Sequence, residues 1–562
     1  MATANDSYPN QSSWGPLDTL QAFPSPLEKP VPYFITAFLL FVFYFSIQQT
    51  EQTPHTDLPI VNPRHKWDFA WLKVKWDFIF KVRYIVEERT KTNPDEPYQV
   101  LTDAGDMTIL PAVPFANEIR NHEDLSFDRV LDKASFPRSI ENNFHAQLPG
   151  FEPLKEANSQ KAVLKYVIRT RLTQFLCMQS LALSSSIWPL TNILAKLTAP
   201  VSDETTLSLT DTFGEDKEWQ TFAIKEEMLK VVARVSTRVF GGEKLCHNQD
   251  WLKITSDYAR TSFLASELLR IFPKSLRSFV HRINPLSRKL QAQVMEAREI
   301  INPIVAERRN EKKAALDRGE EEPEYNDCLE WCEESSDDAS SDPAMMQLGL
   351  SFAALHTTSD LITQVMLDLA KYPDYFEPLR KEITDVIRTD GWSRMGLYKM
   401  RLLDSFCKET QRLHPLGIVA MHREVTKPIT LSNGLELPEG SRIAVSCQRM
   451  RDSSVYLDPN RFDGHRYLRM RESLGAGNDG AAHFVSTSPE HLGFGHGQHA
   501  CPGRFFAANE MKIVLCHLLL KYDWRLAAEA QPKSINFGFT IEVDPKAKIE
   551  IRRRTGDLGL KA

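Results

Sequence analysis

The stretch Phe494–Arg504, FGHGQHACPGR, sets one thiol among three glycines and two histidines, directly before the apolar run FFAANEMKIVLCHLLL. The thiolate, not the thiol, is the form that binds a metal, so a ligand at Cys501 needs surroundings that support negative charge. Pro502 suits the first turn of a helix, where its missing N–H costs nothing. Cys501 is then expected at or just before the helix N-cap, with the unpaired amides and the positive end of the helix supporting the sulfur. Gly495, Gly497 and Gly503 lack a Cβ and are read as letting the backbone pass close to a large flat ligand. Phe494 would shield the sulfur from water, and His499 would donate to an anionic group at the ligand's edge. This set of residues suits a haem iron with an axial cysteine and two propionates. The alternative reading of Cys501 is a buried, inert thiol.

With those residues in view, the stretch resembles the haem-binding loop of the cytochrome P-450 family: Phe, two residues, Gly, one residue, Arg or His, one residue, Cys, one residue, Gly. Three further motifs are similar in order. Glu409 and Arg412, in LLDSFCKETQRLHPLG, match the family's Glu-x-x-Arg helix, where positions three apart share a face. DPNRFDGHRYL places the third member of the family's structural cluster at Arg466, not at Arg461, although Gly464 stands where the family has proline. FAALHTTS, within the apolar run 345–369, resembles the oxygen-side helix, with Ala354 for the usual Gly and His356 for the usual acid. The resemblance makes Thr357, Thr358 and His356 the candidates for proton handling. A plain core helix is the alternative, as a surface ion pair is for Glu409 and Arg412.

The propionates need cationic partners. Lys165 and Arg169, four apart in LKYVIRTRLTQFL, are expected on one helical face, and Arg423 is a further candidate by position. Solvated surface cations are the bland reading of all three. The family's architecture puts Gly349, Phe352, Ala353 and Thr357 on one wall of the substrate pocket and Ile418, Val419 and Ala420 on the other. Ordinary core packing is the alternative for the apolar members.

The elements that must position these groups read as mainly helical. Apolar residues recur three and four apart in LKYVIRTRLTQFL and EEMLKVVARVSTRVF, whereas YQVLTDAGDMTILP and ITLSNGLELPEGSRIAVS read as short strands between turns. FPKSLRSFVHRINPLSRKL reads as a surface helix pair or as a second contact with a membrane. Between Glu311 and Asp342 there are thirteen acidic and three basic residues, expected as an acidic surface connection over 311–342. Apolar residues make up 42% and charged residues 25%, with net charge −6, which points to a large core and to no nucleic-acid partner. Eight cysteines in a chain of 562 residues are too sparse for a secreted disulfide scaffold. Cys328 and Cys332 lack a nearby second ligand pair, so zinc is not favoured.

Near the start, VPYFITAFLLFVFYFSIQQT (31–50) carries no charge over twenty residues, enough to cross a bilayer as a helix. Arg64, His65, Lys66, Lys73 and Lys75 follow it, which orients the rest of the chain toward the cytosol. The expected organisation is a lumenal polar tail over 1–30 with sequons at Asn5 and Asn10, a transmembrane helix over 31–50, a proline-containing linker over 51–63, and a catalytic domain over 64–562.

The resemblance implies a mainly α fold with small β-sheets and a haem b cofactor held by Cys501. It also implies a monooxygenase at the endoplasmic reticulum membrane, supplied with NADPH electrons by a cytochrome P-450 reductase and optionally by cytochrome b5. FAALHTTS and FGHGQHACPGRFFA resemble the filamentous-fungal branch, whose members often oxidise terpenoids, indole-diterpenes or meroterpenoids. A haem-thiolate isomerase or synthase acting without reductase, and a non-enzymatic membrane haem-binding protein, are the competing readings.

Overall fold

Helices dominate, with four small sheets among the described residues. The structure, a computed structural model, describes residues 58–555 apart from 66, 67, 69–71, 103, 104, 128, 130–147, 155–162, 173–187, 273, 337–341 and 476–478. The segments expected as polar tail, transmembrane helix and most of the linker lie outside the described residues. Among the described residues no helix is long and apolar enough to cross a membrane.

The central element is the helix Pro343–Lys371. Pro343 occupies its first turn, and the Asp342 carboxylate accepts from the amides of Ala344 and Met345, so the start of the helix is specified locally. It packs against Ile224–Phe240, Gln249–Ile271, Pro285–Arg318, Arg401–Leu413 and Arg504–Lys521. Helices that converge on one member must make it apolar nearly all round, and most of its residues from Ala344 to Leu369 are buried.

Arg401–Leu413 is buried from Leu402 to Leu413. It has no side-chain cap of its own; the Glu382 carboxylate, from Phe376–Asp390, accepts from the amides of Leu402 (2.7 Å) and Leu403 (3.0 Å) instead. A five-stranded sheet runs Tyr98–Thr102, Gly105–Leu110, Arg442–Ser446, Val419–Val425, Leu125–Ser126. Only Gly105–Leu110 and Arg442–Ser446 pair in parallel within it. A three-stranded sheet joins Gln220–Ala223, Lys548–Arg553 and Tyr522–Leu526.

The stretch 311–342 is not a solvated connection throughout. It contains the helix Cys328–Glu334, in which Cys328, Leu329, Glu330, Trp331 and Cys332 are buried. Asp327 caps this helix and is held by both Arg308 nitrogens at 2.9 and 2.6 Å, while Lys312 and Arg308 pair with Glu330. Acidic residues can enter the interior here because cations from Pro285–Arg318 meet them.

Candidate active site

Cys501 lies two residues before Gly503, the N-cap of the helix Arg504–Lys521. Its amide donates to the Phe494 carbonyl at 2.8 Å, which closes the loop on itself. The thiol is accessible, yet protein crowds it enough that burial raises its pKa, against the Gly503 and Arg504 amides and the Arg504 charge. Burial thus opposes the support that the helix start gives the sulfur, and a bound metal would favour the thiolate, as it does for coordinating thiols in general.

Gly495 and Gly497 have φ of +71° and +79°, values that favour glycine. A Cβ on Gly497 would lie 2.4 Å from the Arg120 Cβ and 2.7 Å from its carbonyl oxygen. Turn geometry thus favours glycine at both positions, and close packing on the end of the helix Ala112–Ile119 requires it at Gly497 as well. Gly503 has ordinary φ, −85°, and open space around it. The same helix end grips the loop twice more: Asn117 meets His496 Nε2 at 3.0 Å, and Asn121 accepts from the Gln498 amide at 2.9 Å. Sequence reasoning missed this grip, since nothing in the motif points to a segment almost four hundred residues earlier.

Glu409, Arg412 and Arg466 come together. Arg412 Nε and Nη2 each donate to Glu409 at 2.8 Å, both side chains are wholly buried, and Arg466 Nε lies 3.1 Å from both carboxylate oxygens. The remaining donors are used: Arg412 Nη1 bonds the Met450 and Pro459 carbonyls, and Arg466 bonds those of Leu457, Asp458 and Arg461. Arg461 thus enters through its backbone. Burial opposes the Arg412 charge, but Glu409 overcomes it and raises the pKa.

Gly464, the departure from the family's proline, has a physical account. Its amide donates to the Tyr375 hydroxyl at 3.0 Å, and a Cβ there would lie 2.7 Å from the Tyr375 ring and 2.8 Å from Phe406. Proline would remove the donor and strike the ring. Gly464→Pro should therefore cost about 1–3 kcal/mol. Equilibrium denaturation checks this, and an unchanged midpoint would show that Tyr375 does not dictate the glycine.

Lys408 adds a second clamp, absent from the sequence reading. Its Nζ donates to the carbonyls of Ala481, His483 and Ser486 at 2.9, 2.7 and 3.2 Å. Asp404, one turn earlier, accepts from the Phe484 amide and pairs with Arg471 and Lys512. The chain leading into the cysteine loop is thereby tied to the same helix that carries Glu409 and Arg412.

On the central helix, Thr357 Oγ1 donates back to the carbonyls of Ala353 (3.0 Å) and Ala354 (3.3 Å), a pattern that loosens the local helix. Ala353 and Thr357 are exposed in mid-helix, Phe352, Ala354 and His356 are half-buried, and Thr358 and Gly349 are buried. Phe352 meets Tyr258 edge-on, ring centroids 6.5 Å apart.

The helix Val163–Val167 continues as a π-helix over Ile168–Leu172, so the winding changes between Lys165 and Arg169. Arg169 Nη2 donates to the Gln498 carbonyl at 2.9 Å, joining this segment to the cysteine loop. The side chain of Lys165 lies outside what is described. Arg423 is buried over the Phe127 ring, which in turn lies 6.0 Å from the His499 ring, so Arg423 and His499 flank one aromatic side chain.

Ile418 and Val419 are buried in one apolar cluster with Phe78, Val82, Tyr98 and Ile541, and the Ile418 amide donates to the Phe539 carbonyl at 2.9 Å. The sheet needs apolar filling on that side, and these residues supply it. Ala420 remains half-buried. Beside it a β-bulge between Ala420 and Arg423 leaves Met421 at φ +54°, unusual for a residue with a Cβ.

An accessible thiol thus opens one helix, and a notch of small residues interrupts the buried surface of a second helix packed against it. A guanidinium reaches the thiol's loop as well. This donor set fits a flat, anionic, metal-bearing group such as haem.

The cytochrome P-450 family model matches residues 186–550. The chain belongs to the cytochrome P-450 family. It is 38% identical over 522 residues to the cytochrome P-450 monooxygenase TRI1 of Fusarium sporotrichioides, covering 92% of this chain and 90% of that protein. It is 40% identical over 502 residues to the monooxygenase hepE of Aspergillus oryzae, covering 89% and 86%. Among solved structures it is similar to the retinoic acid-bound cyanobacterial CYP120A1, at TM-score 0.58 and 17% identity, covering 89% of this chain and all of that one. That likeness shows the fold. Membership makes this cytochrome P-450 a haem-thiolate, oxygen-using oxidoreductase.

Proposed function

We propose that this cytochrome P-450 inserts one oxygen atom of dioxygen into a lipophilic terpenoid, indole-diterpene or meroterpenoid of fungal secondary metabolism. The observation that carries the reading is the accessible Cys501 thiol on one helix with the exposed Ala353–Thr357 notch on the helix packed against it. Haem, when held by these residues, would supply the activation of dioxygen. The chain's own groups bind, orient and handle protons. Cys501 would hold the haem iron through its thiolate, and Phe494 and Gly497 belong to the loop that presents it. Arg169, Lys165, Arg423 and His499 face the propionates, while Glu409, Arg412 and Arg466 hold the loop. Phe352, Ala353 and Ala420 face the substrate, and Thr357, Thr358 and His356 manage protons on the oxygen side. Electrons come from NADPH through a reductase, with cytochrome b5 as a second donor. The apolar stretch 31–50 anchors the chain in the endoplasmic reticulum membrane, with the catalytic part in the cytosol.

A fungal or yeast host expressing the full chain, fed candidate terpenoids under heavy-isotope dioxygen, tests this. The expected result is a product that carries one labelled oxygen and depends on NADPH and reductase. Turnover without NADPH would instead support an isomerase or synthase.

A further inference from the structure

Away from the cysteine loop, a second sulfur stands beside two other groups that bind metals. Cys246 is the last residue of the helix Glu243–Cys246, and His247 caps its end. Glu204 meets both from the helix Trp188–Phe213. Its Oε2 is the shared corner: Cys246 Sγ lies 3.5 Å from it and His247 Nε2 3.1 Å. The three ligand atoms all lie within 4.8 Å of one another. Tetrahedral zinc, with bonds of about 2.3 Å to sulfur and about 2.0–2.1 Å to nitrogen or oxygen, holds its ligands roughly 3.3–3.6 Å apart. Both separations from Oε2 are close to that spacing.

Charge and access agree with the geometry. Glu204 Oε1 is held by Arg234, from Ile224–Phe240, whose Nη1 also meets Asp211 at 2.5 Å. One guanidinium thus serves two carboxylates. With Cys246 as a thiolate the group would carry a surplus of two negative charges, which a divalent cation balances. Glu204 and Cys246 are buried, where uncompensated charge is costly. His247 is 44% exposed and lies on the wall of a cavity of about 650 Å³. Five carboxylates line that cavity, Glu243, Glu307 and Asp327 among them, against the three cations Arg238, Lys244 and Arg308. Such a lining favours the entry of a cation.

We propose that Glu204, Cys246 and His247 form a zinc site that ties the helix Trp188–Phe213 to the turn after Ile224–Phe240, with water from the cavity as the fourth ligand. Sulfur, imidazole and carboxylate together suit zinc, whereas magnesium and calcium take oxygen ligands. Binding breaks the Cys246 S–H bond, forms a zinc–sulfur bond and releases one proton to the cavity water. Burial and the Glu204 charge push the free thiol up to about 12, so the metal itself displaces that proton, as it does for coordinating thiols. A carboxylate only accepts, so the free site keeps the ring proton of His247 on Nε2; on binding it moves to Nδ1 through solvent. Arg234 remains on Oε1 and orients the carboxylate from outside the ligand set.

The haem-loaded full chain, purified without a polyhistidine tag, tests this with zinc chloride as the only addition. Elemental analysis after dialysis should find one zinc per haem iron. The zinc K-edge spectrum should show one sulfur at about 2.3 Å, and added zinc should raise the melting temperature. His247→Ala alters a half-exposed side chain, so the protein should fold, and its zinc affinity should fall by on the order of a hundredfold. Cys246→Ser should lose the sulfur signal. Each variant's zinc-induced shift is read against its own zinc-free curve, so a lowered baseline does not disturb the comparison. Zinc well below one equivalent, a spectrum without sulfur, or equal zinc shifts in wild type and both variants would overturn the proposal and leave an ion-pair network of Glu204, Arg234 and His247.

Discussion

Replacing Cys501 with serine abolishes the strongly red-shifted Soret band that thiolate-bound haem shows when reduced under carbon monoxide, and abolishes turnover with it. The effect is expected to be complete, because no other described cysteine can stand in. Cys246, Cys328, Cys332, Cys407, Cys447 and Cys516 are all buried, and Cys501 alone among the described cysteines is accessible. Burial also pushes the thiols of Cys246, Cys332, Cys407 and Cys447 up to about 12, far from the form that binds metal. Serine keeps the loop's hydrogen bond from residue 501 to Phe494, since that bond uses the backbone amide. The fold should therefore survive, and far-ultraviolet circular dichroism should match wild type. A wild-type band in the serine variant would remove the basis for the site as a whole.

Glu409→Ala is expected to be nearly as severe by a different route. The carboxylate is the only acceptor shared by Arg412 and Arg466, and it also accepts the Asp463 amide at 3.1 Å. Without it, two guanidinium groups face each other in a site where Arg412 and Glu409 have no exposure. Removing one partner of a buried pair costs about 3–5 kcal/mol, a large fraction of the stability of most domains. The expected result is little folded protein and no bound haem, read from the haem-to-protein absorbance ratio. Glu409→Gln should retain part of both, because the amide oxygen still accepts while the charge is gone. A Glu409→Ala protein with a full haem complement would show that the triad does not hold the cysteine loop.

Much of this was legible in short sequence windows, because the chemistry is local there. A glycine-spaced thiol before a proline and an apolar run is a turn into a helix, and Glu409 and Arg412 share a face by spacing alone. The mainly helical class with small sheets follows from periodicity in the same way. Long-range contacts were not legible. Gly497 is needed because Arg120 lies against it, and Gly464 because Tyr375 does. In each case the partner lies far along the chain and no local pattern announces it. The helix Cys328–Glu334 sits inside a stretch whose charge reads as solvated, since ion pairs with Arg308 and Lys312 depend on a neighbouring helix. The π-helical winding of Ile168–Leu172 was not legible either, since apolar periodicity in that window reads as an ordinary α-helix.

By itself, the order of residues determined which side chains were available for chemistry and the local turns that present them: a cysteine at the mouth of a helix, an acid and a base one turn apart, a threonine pair in an apolar run. Only the tertiary structure decided which of these meet. It buried Ile418 and Val419, carried Arg169 to the cysteine loop, and joined Asp360 to a lysine from another helix that also meets a glutamate from a strand. The reason is physical: hydrogen bonds and ion pairs act over a few ångströms of space, whatever the separation along the chain.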